Sequence, residues 1–344
     1  MKRYLALAEE YSGDDHYGKT TYGVIRYGKE PVVAVVDSTR PGETVEGVPV
    51  VATVADGLAY EPTVALVGVA VAGGRLPPAW RGILRDAIEA GLDVEAGMHE
   101  FLADDPELSA LAREHGVELR DYRRPPPDLS VPTGENLTHA AAVVLTVGSD
   151  CAVGKKTVAV ELDRAARERG IASVFVPTGQ TGIMIEGWGI AVDAVVSDFL
   201  AGAGERLVVE GAKRGDLLFV EGQGSILHPQ FSGVTLGLYH GSAPHVLVLV
   251  HRPGDTEIEG VPGHPIPPLG ELIELYERLA LPVRPAKVAA IALNTGRLDE
   301  ADARAAIATT ETETGLPADD PVRFGPDRLL DAVLGRLPSG ITGR

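Results

Sequence analysis

The stretch Gly148-Ser149-Asp150-Cys151-Ala152-Val153-Gly154-Lys155-Lys156-Thr157 sets two glycines, two adjacent lysines and a hydroxyl residue between an apolar run and an amphipathic one. Glycines let a strand-to-helix turn curl until successive backbone N–H groups converge. The helix that follows adds about +0.5 charge at its N-terminus. Lys155 supplies a cation for an outer phosphate, so the stretch reads as a phosphate-binding loop (P-loop) in the setting such a loop needs. It departs from the usual pattern twice. Five residues rather than four separate the glycines, and Lys156 stands where a metal-binding Ser or Thr follows the lysine, leaving Thr157 one position late. The pattern favours phosphate binding over phosphate hydrolysis. Cys151 inside the loop is either a small packing residue or a nucleophile activated by the helix N-terminus.

A second group is Glu221-Gly222-Gln223-Gly224-Ser225-Ile226-Leu227-His228-Pro229, directly after the apolar run Leu217–Val220. An acidic residue at the C-terminal end of a strand points into the ligand crevice of an open sheet. Glu221 suits a general base or a water-mediated Mg²⁺ ligand beside the phosphates, with Thr157 as the hydroxyl ligand if Mg²⁺ is used; as a bland alternative it caps a helix. His228 is a further base candidate or a packing residue. Thr178-Gly179-Gln180-Thr181-Gly182 offers hydroxyls, an amide and exposed N–H groups for a carboxylate or amide substrate, or forms a plain turn. Asp198 follows an apolar run and is either a cleft acid or a helix cap. Asn294, ending the run Val288–Leu293, is placed to hydrogen-bond a purine edge. His240, read as loop-borne, is another base candidate. Gly18-Lys19-Thr20-Thr21 copies the end of a phosphate loop without an apolar strand immediately before it, and reads as loop. His99, His115 and His139 share no metal-ligand spacing, and the first part of the chain lacks Gly-x-Gly-x-x-Gly.

These residues need a scaffold, and the hydrophobic pattern supplies one. Val32–Asp37, Val48–Ala52, Thr63–Val71 and Leu92–Ala96 read as buried strands, and 78–90 and Pro106–His115 as helices, which makes a Rossmann-like domain over residues 1–124. Four prolines between 125 and 132 mark residues 125–139 as an extended linker. From 140 to 344, strands at 140–147, 172–177, 216–220, 245–251 and 288–293 alternate with helical or loop segments, the helix Thr157–Arg169 among them. Alternation of that kind predicts a doubly wound, mostly parallel sheet. The fold class is therefore α/β in both domains, and 254–270 reads as a long Gly/Pro-rich loop.

Bulk charge narrows the ligand. With 31 Lys+Arg against 49 Asp+Glu the net charge is −18, which repels phosphate backbones and anionic lipid and argues against nucleic-acid and membrane partners. A small anionic ligand remains compatible, because a loop and two lysines hold a phosphate locally. One cysteine excludes a disulfide framework and a four-thiolate zinc site. The short apolar run at the N-terminus and the lack of a long apolar stretch lead to the expectation of a cytoplasmic chain, and a homo-oligomer is expected as well.

The loop together with Glu221-Gly222-Gln223-Gly224 resembles the dethiobiotin synthetase-like branch of P-loop enzymes, which shares the longer glycine spacing. Over nearly the whole chain, the same loop with Thr178–Gly182, Glu221–Ser225, His228-Pro229, Ser232–Gly237 and His240–Pro244 resembles the D-glutamate N-acetyltransferase family. That resemblance implies a Rossmann-like domain joined to a P-loop NTPase-like domain and acetyl transfer from acetyl-CoA to D-glutamate, an acidic amino acid. On this reading residues 148–157 hold CoA phosphates, Glu221 or His228 takes the amine proton, and residues 179–182 donate to the substrate or the oxyanion. The alternative is an ATP/Mg²⁺-dependent ligase in which Lys155 and Glu221 serve a transferring phosphoryl group and Asn294 reads the purine.

Overall fold

The computed structural model describes residues 2–14, 17–70 and 74–338. Its chain forms two compact units, Met1–Pro126 with Gly179–Ala194, and Pro127–Thr178 with Val195–Arg344. Among the described residues no helix is long and apolar enough to cross a membrane. Val71, expected to end a strand, and residues 339–344 of the expected second domain lie outside the described residues.

The first unit runs β1 (Tyr4–Leu7), α1 (Lys19–Tyr27), β2 (Val32–Val36), β3 (Thr44–Val45), β4 (Val48–Val51), α2 (Val54–Gly57), β5 (Val64–Val67), α3 (Trp80–Glu89), β6 (Asp93–Ala96), α4 (Pro106–His115) and β7 (Leu119–Asp121). Sheet order is β3-β4-β2-β1-β5-β6-β7, parallel except for the β3–β4 pair. Without β3, this is the Rossmann order 3-2-1-4-5-6, whose ligand crevice opens where the order reverses, between β1 and β5. Two dinucleotide features are missing. The β1–α1 connection carries no glycine fingerprint, and Asp37, at the β2 end where a ribose-binding acid would stand, is already engaged. Its carboxylate accepts the N–H groups of Glu10, Ser12 and Thr39 at 3.0–3.2 Å and the Thr39 hydroxyl at 2.6 Å. Burial opposes its ionisation, but the Ser12 and Thr39 bonds outweigh that and lower its pKa.

Gly18-Lys19-Thr20-Thr21, expected as loop, instead caps and begins α1. Thr20, Thr21, Gly23 and Val24 form its buried face, and the Thr21 hydroxyl donates to the Gly68 carbonyl at 2.9 Å. Tertiary packing of that face, absent from the local pattern, makes the helix.

The second unit contains β8 (Ala142–Gly148), α5 (Lys155–Glu168) and β9 (Ser173–Val176). The chain then gives α6 (Gln180–Glu186) to the first unit and returns as α7 (Ser197–Ala212), β10 (Leu217–Val220), α8 (Ser232–Ser242), β11 (Val246–His251), α9 (Leu269–Ala280), β12 (Lys287–Leu293), α10 (Glu300–Thr314), β13 (Ala318–Asp319) and α11 (Asp327–Arg336). All its strand pairs are parallel, in the order β13-β12-β11-β8-β10-β9, so the strand feeding the phosphate loop is central and the Glu221 strand lies beside it. β8 is buried along its whole length, as its unbroken apolar run requires.

Two differences from the expected domains have packing causes. Residues 179–194 belong to the first unit because Met184 and Ile185 bury with Tyr4, Val24, Val64 and Leu66, while the Thr181 and Thr20 hydroxyls bond at 2.9 Å. The segment expected as linker is packed from Pro127 onward. Glu205 of α7 accepts the N–H groups of Thr133 and Gly134 at 2.6 and 2.7 Å, which satisfies backbone that a free linker would leave to water.

His245 closes the start of the β8–β11 pair, its Nδ1 accepting the Val143 N–H at 3.0 Å. Burial, then Arg284 and His139, lowers its pKa from 6.5 to about 4. The folded chain therefore binds fewer protons than the unfolded chain below pH 6.5. Stability present at neutral pH is lost as pH falls from 6.5 toward 4, by about 2 kcal/mol after discounting for partial solvent screening. Thermal melts across that interval are expected to show this loss, and His245→Gln is expected to flatten the slope.

Candidate active site

The phosphate loop starts where β8 runs out of ladder. Ser149 still donates its N–H to the Val250 carbonyl at 3.0 Å, after which the chain turns away. Ala152 (φ 51°) and Gly154 (φ 112°) take left-handed backbone, the first a strained choice for a residue with a Cβ and so a mark of a loop held by its surroundings. Gly154 caps α5 with no side-chain hydrogen bond, and no acidic residue occupies the first turn. A 14-residue helix thus presents uncapped N–H groups at the loop, which is an anion site by construction. Val153 is fully buried and anchors the loop, while Lys156 and Thr157 are half-buried in the first helical turn.

Lys155 is 6% exposed and curls back beneath the loop, its Nζ donating to the Asp150 carbonyl at 2.7 Å. Gly148 leaves room for that ammonium, since a Cβ there would stand 3.0 Å from Nζ. The loop is braced on every side. Ser225 Oγ donates to the Gly148 carbonyl at 3.0 Å, and Tyr276 Oη donates to the same oxygen at 2.8 Å while accepting the Ile226 N–H at 3.2 Å. Burial pushes the Tyr276 phenol up to about 12, so it stays protonated and keeps donating. Ser149 Oγ meets His251 Nδ1 at 2.9 Å, and burial holds that imidazole below its usual pKa and neutral. Arg252 donates to the Ala152 carbonyl at 2.9 Å, adding a third cation to the loop. Asp150 accepts the N–H groups of Cys151 at 2.6 Å and Glu259 at 2.7 Å, tying the loop to the 254–270 excursion.

Glu221 stands at the end of β10, buried, with Oε2 accepting the Thr178 N–H at 3.0 Å. The Thr178 hydroxyl donates to the Glu221 carbonyl at 2.6 Å and accepts from Gln223 Nε2 at 3.0 Å. The turn after Glu221 presses on the loop, because Gly222 donates to Thr146 Oγ1 at 2.9 Å and has no space for a side chain. His228 is buried, and its Nδ1 accepts the Gln230 N–H at 3.2 Å.

The loop residues, Thr178, Glu221 and His228 thus gather within the second unit. Gly179–Gly182 go to the first unit, where Gln180 packs on Gly97 and Thr181 bonds Thr20. Asn294 Nδ2 donates to the Val153 carbonyl at 3.2 Å and braces the loop. Asp198 is exposed in the first turn of α7, whose N-cap is Val196 without a side-chain hydrogen bond, so Asp198 is not the cap that the alternative reading expected. His240 lies in the last turn of α8 rather than in a loop, with Nε2 bound to the Leu279 carbonyl at 2.8 Å. Among the described residues Glu221 is in no cluster of three His, Cys, Asp or Glu side chains placed to share an ion. The sequence reading missed Tyr276, His251 and Arg252. The polar residue closing the run Val246–His251 was a signal for His251, whereas Tyr276 reads as an ordinary core position of an amphipathic helix.

Residues 130–330 match the family model described as a domain of unknown function, DUF1611, P-loop domain, and residues 38–125 match its N-terminal Rossmann-like domain. A D-glutamate N-acetyltransferase of Tritonibacter scottomollicae is 40% identical over 270 residues, 78% of this chain and 80% of that one. A D-glutamate N-acetyltransferase of a Pseudoalteromonas species is 36% identical, over 77% of this chain and 79% of its own. The crystal structure of a DUF1611 family protein from Anabaena variabilis, 44% identical, superimposes with a TM-score of 0.93 and covers 97% of this chain and 100% of that one. By sequence and by fold, this chain belongs to the DUF1611 family, the family in which its motifs resemble those of the D-glutamate N-acetyltransferases.

Proposed function

We propose that this chain is a D-glutamate N-acetyltransferase whose phosphate loop holds the phosphates of acetyl-CoA. The names of the two relatives support the reaction. The observation that carries the donor is the uncapped N-terminus of α5 beside buried Lys155, a cradle for a phosphate whose hydroxyl position is taken by Lys156. In the reaction the amine nitrogen attacks the thioester carbonyl carbon, a C–N bond forms, the C–S bond breaks and the thiolate leaves. Glu221, fixed by the Thr178 N–H, takes the proton that the amine gives up and returns it to the departing thiolate. Thr178 and Gln223 hold that carboxylate's surroundings in place.

Thiol release from acetyl-CoA is expected on adding D-glutamate, with N-acetyl-D-glutamate appearing in equal amount by mass spectrometry. Absence of thiol release, together with ATP turnover in the presence of a carboxylate and an amine, overturns the assignment in favour of an ATP/Mg²⁺-dependent ligase.

A further inference from the structure

Acetyl transfer as proposed gives no chemical step to one group of side chains at the phosphate loop. A carboxylate oxygen of Asp150, the Sγ of Cys151 and a ring nitrogen of His228 all lie within 4.8 Å of one another, at the phosphate loop of the second unit. Asp150 and His228 are 2% and 4% exposed, and Cys151 is half-buried, so the group is enclosed with one partly open side. We propose that these three residues bind one divalent transition-metal ion of the zinc type.

The donor set argues for the class of ion. A thiolate, an imidazole and a carboxylate together suit Zn²⁺ or Co²⁺, whereas Mg²⁺ takes oxygen donors and does not select a thiolate. Metal–ligand bonds of about 2.0–2.3 Å put tetrahedral donor atoms about 3.5 Å apart, so separations of up to 4.8 Å close on a metal with small side-chain shifts. Outer contacts orient the ligands. The Asp150 carboxylate is held by the N–H groups of Cys151 and Glu259, which leave each oxygen a further lone pair. The His228 ring packs against Phe231 with centroids 4.6 Å apart. On binding, the Cys151 thiol loses its proton to solvent and a sulfur–metal bond forms; Nδ1 of His228, the acceptor nitrogen, exchanges the Gln230 N–H for the metal while the ring keeps its proton on Nε2. Three protein ligands leave a fourth position for water or an anionic ligand oxygen. An ion here would place positive charge in a loop that lacks the usual hydroxyl after Lys155.

Metal binding can be read without assaying activity. The tag-free full-length chain, stripped with chelator, is titrated with Zn²⁺ by calorimetry and with Co²⁺ by absorbance. One ion per chain is expected, with proton release and, for Co²⁺, a thiolate charge-transfer band. Because Cys151 is the chain's single cysteine, that band has one possible source. Cys151→Ser is expected to abolish the band, and His228→Asn to weaken Zn²⁺ binding by about 100-fold, both chains keeping the wild-type melting profile in chelator. Failure of the wild-type chain to take up one equivalent overturns the proposal, as does Zn²⁺ affinity unchanged in both variants. Should either variant misfold, the wild-type Co²⁺ band decides alone. A chain that takes up no metal in these titrations yet acetylates D-glutamate overturns this site while leaving the acetyltransferase reading intact.

Discussion

Lys155→Ala is expected to lower kcat/KM for acetyl-CoA by about 100-fold or more, nearly all of it through KM. The ammonium is already drawn under the loop by the Asp150 carbonyl, so it meets an incoming phosphate without first being ordered. Truncating one partner of such a buried charge pair costs roughly 2–5 kcal/mol, because the phosphate is left in the cradle without its cation. CoA phosphates lie far from the reacting thioester, so this contact is equal in ground and transition states and its loss spares kcat. Acetyl-pantetheine, which lacks the cradle's ligand, is expected to be an equally poor substrate for wild-type and variant. A fall in kcat with KM unchanged would instead place Lys155 on a reacting group, as a ligase requires.

Gly222→Ala is expected to destabilise the second unit by about 3 kcal/mol or more. A Cβ at this position would stand 1.7 Å from the Thr146 carbonyl oxygen and 3.1 Å from Lys155 Cδ. The first of these is backbone of the central strand and cannot yield, so β8 and the end of β10 must part. At about 2–4 °C per kcal/mol for a unit of this size, the melting midpoint falls by roughly 6–12 °C. Acetyl transfer is expected to fall with it at temperatures where the variant is still folded, because the turn after Glu221 also seats Ser225 against the loop. Gly233, where a Cβ meets nothing within 4 Å, serves as the control position.

The strands of both sheets were legible because buried parallel strands are unbroken apolar runs. Val32–Val36, Val64–Val67 and Val246–His251 are read within a few residues of where they form. The loop and Glu221 were legible for a related reason, since both sit where such a run stops and polar or small residues begin. What failed depended on partners distant in sequence. Lys19–Tyr27 has a polar first turn and is helical because Thr20, Thr21 and Val24 find a buried face. Residues 179–194 follow the second unit's strand without a break in pattern, and only the burial of Met184 and Ile185 beside Tyr4 and Leu66 reveals their allegiance. Asn294 announced a polar strand end, but not that its amide would also brace Val153. Tyr276 carries a hydroxyl to the loop from a helix whose spacing says core and nothing more.

The excursion of residues 179–194 sets an order on the chain's birth. A growing polypeptide emerges from its N-terminus, and a first domain that is contiguous can fold while the rest is still being made. Here the opening 126 residues carry every strand of the Rossmann-like sheet yet lack the helix that buries Met184 and Ile185 against Tyr4, Val24, Val64 and Leu66. The first unit therefore stays unfinished until residue 194 has left the ribosome, by which time the phosphate loop and its helix are already out. A ribosome stalled before that point holds a sheet with an uncovered apolar face, and a chain cut at the proline segment is left permanently in the same condition.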